Sequence, residues 1–412
     1  MRSLFARGNR SNANDRSIAA FTTLGHGLFH WFELAVPIFL VVWLREFPAT
    51  VELLGLVVAV GMAPIGLTAL PAGLLVDRFG ARPVALLSIG GMAMGFGTLA
   101  LADSIRHVGL SLTVWGMFAG LYHPAGMSLI STGASRRGTI FAYHGMAGNL
   151  GTALGPFVTA TLLLVLDWHV VAGVLAVPGF VVLLFGLVVR FDPTAAEEAD
   201  GEPEPRGSTV DGVRTLLGSS FGIVFLVVAL DGLVYRGIIT YLPQVLRGLP
   251  GFADLGLNAG LVGVHPGDYV FVGLLVVGIA GQYVGGKLTE RVPVERALIV
   301  GFGALGLITV CFLPFARIGL SAGLLMSALV GFFLFLVQPL YQVAVAVHSP
   351  PSTRGLSYGL TYLGEFGIGA ASIAVGGYLL GTYPSTVFFA GLGLVSFVAA
   401  FLAAFLAQRS GD

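Results

Sequence analysis

A small set of ionisable and hydrogen-bonding side chains lies within long apolar runs of this chain. His26, His30 and Glu33 are spaced i, i+4 and i+7, which places them on one stripe of a helix. Tyr358, Tyr362 and Glu365 repeat that spacing near the other end, and Gln338 and Gln342 share a helix face. Asp231 and Arg236, five residues apart, point to different sides of one segment, and His123, His144 and Asn149 complete the set. A charged group at mid-membrane costs about 2.5–3.5 kcal/mol on insertion scales, so such groups face a cavity or a partner. Arg236 cannot be neutralised, so it needs an anion: Asp231, Glu365, Glu33 or a bound ligand. Two kinds of chemistry follow, recognition of an anionic or polar group by Arg236 and exchange of a proton on a carboxylate among Asp231, Glu365 and Glu33. Competition for one cavity would couple them.

A plainer reading stands beside this one, in which Glu33 and its histidines form a static hydrogen-bonded cluster closing the outer end of a bundle. His26, His30 and His123 raise the question of a metal, but no local spacing with carboxylate support points to one. Neither a metal nor a cofactor is expected. His144 reads as a packed structural residue, and Gly145, Gly148, Gly151 and Gly155 as positions where helices approach closely. Cys311, the single cysteine, reads as an inert thiol in an apolar run.

The elements that hold these residues follow from composition. Of 412 residues 56% are hydrophobic and 10% charged, against about 25% charged in a soluble domain, so the chain reads as an all-α integral membrane protein whose surroundings are the lipid bilayer. A net charge of zero argues against nucleic acid as a partner. Apolar stretches fall near 18–44, 50–76, 83–102, 107–131, 138–165 and 169–190, then 219–246, 268–288, 297–316, 319–347, 355–380 and 385–407, giving twelve spans. The first, preceded by Arg2, Arg7, Arg10 and Arg16, reads as a retained span rather than a cleaved signal. An acidic, proline-containing stretch over 191–217 reads as a solvated linker between an N-terminal half, 1–190, and a C-terminal half, 218–412. With both termini cytoplasmic, all 21 basic residues lie inside except Arg45, Arg106, Arg247 and Arg317, which fall outside, and the intramembrane Arg236.

The halves repeat one another. Gly73-x3-Asp77-Arg78 returns as Gly286-x3-Glu290-Arg291, His123-Pro124 as Gln338-Pro339, and Gly148-Asn149-x-Gly151 as Gly364-Glu365-x-Gly367, all at nearly constant offset. The phase slips if the loop over 249–268 is longer than its counterpart after span one. Six-span repeats of this kind place a substrate site near the midplane between halves that rock against each other.

Gly73-x3-Asp77-Arg78-x-Gly80-x-Arg82, with its degenerate copy six spans later, resembles the signature of the major facilitator superfamily. The resemblance implies a twelve-helix fold of two six-helix repeats. It also implies a gating role for this loop, in which Asp77, Arg78 and Arg82, with Gly286, Glu290 and Arg291 in the copy, help hold the halves together in one alternating state; the plainer role of these arginines is to anchor topology. More narrowly, Tyr122-His123-Pro124 with Gly148-Asn149-x-Gly151-x3-Gly155-Pro156 resembles the fosmidomycin-resistance branch of drug exporters. Ala125 and Thr159-Ala160 depart from that branch's pattern. These likenesses imply a monomeric secondary transporter in the plasma membrane that couples a small organic or drug-like compound to protons, most simply in efflux. An importer of an organic anion is the alternative within transport, and a membrane sensor is the alternative outside it. No nucleophile–base motif supports an intramembrane enzyme, and no Walker loop supports an ATP-driven pump.

Overall fold

The computed structural model describes residues 2–195, 209–249, 266–289, 291–349 and 354–410. Glu290, the linker core 196–208 and the loop 250–265 lie outside the described residues. The order is α1 (Arg2–Glu46), α2 (Val51–Phe79), α3 (Ala81–Gly97) with a 3-10 turn to Leu101, α4 (Ile105–Ala119), α5 (Tyr122–Gly133), α6 (Arg137–Leu162) and α7 (Trp168–Val188). After the short α8 (Thr209–Leu217) come α9 (Ser220–Arg247), α10 (Pro266–Leu288), α11 (Val294–Ala316), α12 (Leu320–His348), α13 (Arg354–Tyr362), a π turn (Leu363–Ile368), α14 (Ala371–Thr382) and α15 (Ser385–Ser410).

Among the described residues ten helices are long and apolar enough to cross a membrane. The other two of the twelve spans deviate for a chemical reason. Span four, read from the sequence as continuous over 107–131, is broken into α4 and α5 at Gly120-Leu121. A side chain on Gly120 would collide with the Ile65 carbonyl and the Thr68 hydroxyl, so α2 is admitted close to the break. The break puts Pro124 in the first turn of α5, where its missing N–H costs nothing. Span five is α6, 26 residues long but diluted by glycine, threonine, His144 and Asn149. Both carry polar residues, although α1 with His26, His30 and Glu33 and α9 with Asp231 and Arg236 do so while staying long and apolar enough to span. Elsewhere the spans are buried on one side and present leucine, valine and phenylalanine to the surrounding lipid on the other.

Helix ends follow local rules. The Thr50 hydroxyl accepts from the Leu53 N–H at 3.3 Å and caps α2. Gly80, at φ +86°, ends α2 by donating to the Val76 carbonyl and turns the chain into α3, which accounts for its place in the loop motif.

Close helix approach is set by small residues. Side chains on Gly148, Gly151 and Gly155 of α6 would collide with the His26 ring and with the Gly27 and Trp31 carbonyls of α1. Three of the four glycines read as approach positions therefore do that work. Gly145, with open space where its side chain would be, does not. The halves meet in the same manner: Gly66 of α2 abuts Gly367 of the π turn, and Gly55 abuts Gly377 of α14.

Replacing Gly151 by valine is expected to overpack the α1–α6 seam and destabilise the detergent-solubilised protein by about 1–3 kcal/mol. Gly145→Ala is expected to leave thermal unfolding unchanged. A midpoint for Gly151→Val equal to the wild type would contradict this packing.

Candidate functional site

The centre of the molecule is an ion pair between the two halves. Glu33 of α1 and Arg236 of α9 meet at 2.5 Å between Oε1 and Nη1, with side chains 2% and 3% exposed. Of the four anions open to Arg236 in the sequence, the fold selects Glu33. The second Glu33 oxygen is 2.7 Å from His30 Nδ1, so one carboxylate joins the histidines of the first half to the arginine of the second. The guanidinium lies over the Phe366 ring at 4.3 Å and near Tyr235 at 5.5 Å, while Nη1 is 3.9 Å from Met62 Sδ. Its Nε and Nη2 atoms are buried with no acceptor among the described residues.

The histidines form a cluster beside this pair. His26 Nδ1 is 2.7 Å from the His144 carbonyl oxygen, and His26 Nε2 is 3.2 Å from His123 Nε2. The His144 ring stacks on His26 at 3.9 Å, and His144 Nε2 is buried without a partner. One ring nitrogen from each of His26, His30 and His123 lies within 4.8 Å of the others. No local spacing in the sequence points to a metal here; the fold brings His123 from α5 to His26 and His30, with Glu33 behind His30. His144 is packed as a structural residue, its ring stacked on His26 and its main-chain carbonyl facing His26 Nδ1. Tyr122, unassigned in the sequence reading, closes the cluster; its ring stacks on His144 and His26, and its hydroxyl donates to the Thr22 carbonyl. Its adjacency to His123 was the available signal.

On the other side, Tyr358 and Tyr362 lie four apart on α13, and Glu365 lies in the turn that follows. The chain widens into a π turn over Leu363–Ile368, with the Gly369 N–H bonded to the Gly364 carbonyl, so α-helical spacing no longer predicts the face. Tyr362 points to the first half, 4.9 Å from the His123 ring between centroids, while Glu365 packs toward α9, its backbone against Gly232. Tyr341 sits between the two glutamines singled out in the sequence and takes the inward role instead. Gln338 is half-buried and Gln342 exposed, so the shared face expected of them does not line the site. Asn149 is half-buried on α6, with no hydrogen bond to the cluster among the described residues. Asp231 is 1% exposed, within charge range of Glu365, and neither of its oxygens has a hydrogen-bond partner among the described residues. A crevice lined by Ile65, Ala69, Gly120, His123, Tyr362 and Phe366 runs between the halves and is too narrow for a water molecule.

Of the loop motif, the Asp77 side chain and Glu290 lie outside the described residues. Arg82 donates to the Gly186 and Val189 carbonyls at 3.0 and 2.7 Å, which ties α3 to the end of α7 within the same half. Arg78 is exposed beside the Phe79 ring, Arg291 is exposed, and Gly73 and Gly286 have open space around them. In this arrangement Arg82 acts as a helix-end anchor rather than a bridge between halves.

Residues 20–374 match the family described as the Major Facilitator Superfamily. The chain belongs to that superfamily. Solved superfamily-fold structures align over nearly all of it: a D-xylose–proton symporter at TM-score 0.74 and 16% identity, covering 95% of this chain and 97% of that one, and the nucleoside transporter NupG at 0.72 and 14%, covering 94% and 99%. The inward-open xylose transporter XylE from E. coli gives 0.74 at 14% identity, covering 94% and 95%. In sequence the chain is 26% identical over 164 residues to the tetracenomycin C resistance and export protein of Streptomyces glaucescens, a stretch spanning 39% of this chain and 29% of that protein. The chain is thus a multi-pass membrane protein of a transporter superfamily, with the twelve-span fold of two six-helix repeats.

Removing Glu33 is expected to cost more than removing Arg236. Glu33→Gln strands a guanidinium that cannot lose its charge, a loss of about 3–5 kcal/mol for a broken buried pair, whereas in Arg236→Gln the carboxylate keeps His30 or takes a proton. Chemical unfolding in detergent measures both, and equal losses would contradict the asymmetry.

Proposed function

We propose that the protein is a proton-coupled secondary transporter that exports a small organic compound bearing an anionic or strongly polar group. The observation that carries this reading is the state of Arg236, a buried guanidinium held to the opposite half through Nη1 with Nε and Nη2 left without acceptors. Buried donors without acceptors are costly, and an anionic ligand oxygen would satisfy both in a forked geometry. Phe366 and Tyr362 supply apolar surface beside it for an organic body.

The proton partner is Asp231, with Glu365 as its neighbour. An ionised carboxylate without donors in the bilayer interior costs several kcal/mol, and a carboxyl that carries a proton costs much less, so Asp231 is suited to load and release a proton as access changes. Loading a proton near Arg236 alters the field that an anionic ligand meets, which couples the two binding events. The partial likeness to the tetracenomycin C resistance and export protein supports the outward direction. The distribution of basic residues supports a plasma-membrane orientation with both termini cytoplasmic and the linker over 191–217 joining halves 1–190 and 218–412. One such bundle is sufficient as a monomer.

In liposomes with an imposed pH gradient, the purified protein is expected to accumulate an amphipathic organic anion against its concentration. Arg236→Gln is expected to abolish uptake, and Asp231→Asn is expected to keep downhill exchange while losing uphill movement. Intact transport in Arg236→Gln would overturn the substrate assignment. Gradient-driven transport persisting in both Asp231→Asn and Glu365→Gln would overturn the proton assignment.

A further inference from the structure

We infer that His26, His30 and His123 form a three-imidazole binding site for a divalent transition-metal ion of the zinc class. The inference is independent of the transport reading above and rests on how each ring is oriented.

His26 Nδ1 faces a main-chain carbonyl, which only accepts, so Nδ1 carries the hydrogen and Nε2 presents its lone pair. His30 Nδ1 faces the Glu33 carboxylate, itself held by Arg236, so in the neutral ring Nε2 is again the open nitrogen. A carbonyl or carboxylate behind the non-ligating nitrogen is the arrangement that orients metal-binding histidines and raises their basicity. Two of the three rings have it.

The spacing fits the same ion. Tetrahedral zinc with Zn–N bonds of about 2.0–2.1 Å places its nitrogens about 3.3–3.4 Å apart. His26 Nε2 and His123 Nε2 are 3.2 Å apart, close to that spacing, and a ring nitrogen of His30 lies within 4.8 Å of both histidines' ligand atoms. Three neutral nitrogens and no thiolate suit zinc, cobalt or nickel in preference to calcium or magnesium.

A bound dication would also act on the inter-half pair. It would draw the Glu33 carboxylate toward His30 and repel Arg236 on the other oxygen, so metal occupancy and the Glu33–Arg236 contact would be linked.

The test is Co2+ binding to the full-length protein in detergent, purified without a histidine tag and followed by visible absorption. The expected result is one Co2+ per chain with the strong bands of a tetrahedral site, displaced by Zn2+. His123→Gln is expected to weaken binding at least 100-fold and Glu33→Gln about 10–100-fold. Zn K-edge absorption spectroscopy of the zinc-loaded wild type, which needs no variant, is expected to show about three imidazole nitrogens at 2.0–2.1 Å. The inference is overturned by wild-type protein that takes up no Co2+, by binding that His123→Gln leaves unchanged, or by a zinc spectrum lacking imidazole ligands.

Discussion

A guanidinium inside a bilayer cannot give up its charge, and the architecture around Arg236 follows from that constraint. Its counter-ion is supplied not by its own helix or half but by Glu33, across the interface between the repeats. An ion pair that spans the interface favours the arrangement in which it forms, so the two-state equilibrium of the bundle is tied to whatever competes for either member. The same carboxylate fixes His30, which lies against His26 and His123, so a single residue connects the polar clusters of both halves.

Supporting this pair requires close backbone approach on either side. Gly148, Gly151 and Gly155 bring α6 against α1 and seat His144 over His26. Gly66 and Gly367 do the same where α2 meets the π turn, and Gly232 admits that turn beside Asp231. Glycines elsewhere, such as Gly95 against Trp115 and Gly331 against Leu274, bring apolar helix faces together in the same way.

Most of the architecture was legible in the sequence because bilayer thickness dictates span length and basic residues mark the loops between spans. The His26–His30–Glu33 stripe was legible because α1 is regular there. The partner of Arg236 is not legible in the sequence, since three carboxylates and a bound ligand satisfy the same rule and only tertiary packing distinguishes Glu33. The π turn between Tyr362 and Glu365 and the Gly120 break before α5 are local departures that regular helix spacing does not reveal. Gln342 was placed inward by its spacing from Gln338, but Tyr341 occupies that direction. Family likeness implies a gating role for Arg82, and in this arrangement it donates to carbonyls of its own half.

The claim on which the account turns is that the Glu33–Arg236 contact biases the relative placement of the halves. Pulsed electron paramagnetic resonance can read this with spin labels on Leu101 and Ile318, two exposed sites on opposite halves, in a background where Cys311 is replaced by serine. The account predicts that Glu33→Gln shifts the distance distribution between these labels relative to the wild type. Superimposable distributions in the two proteins would contradict it.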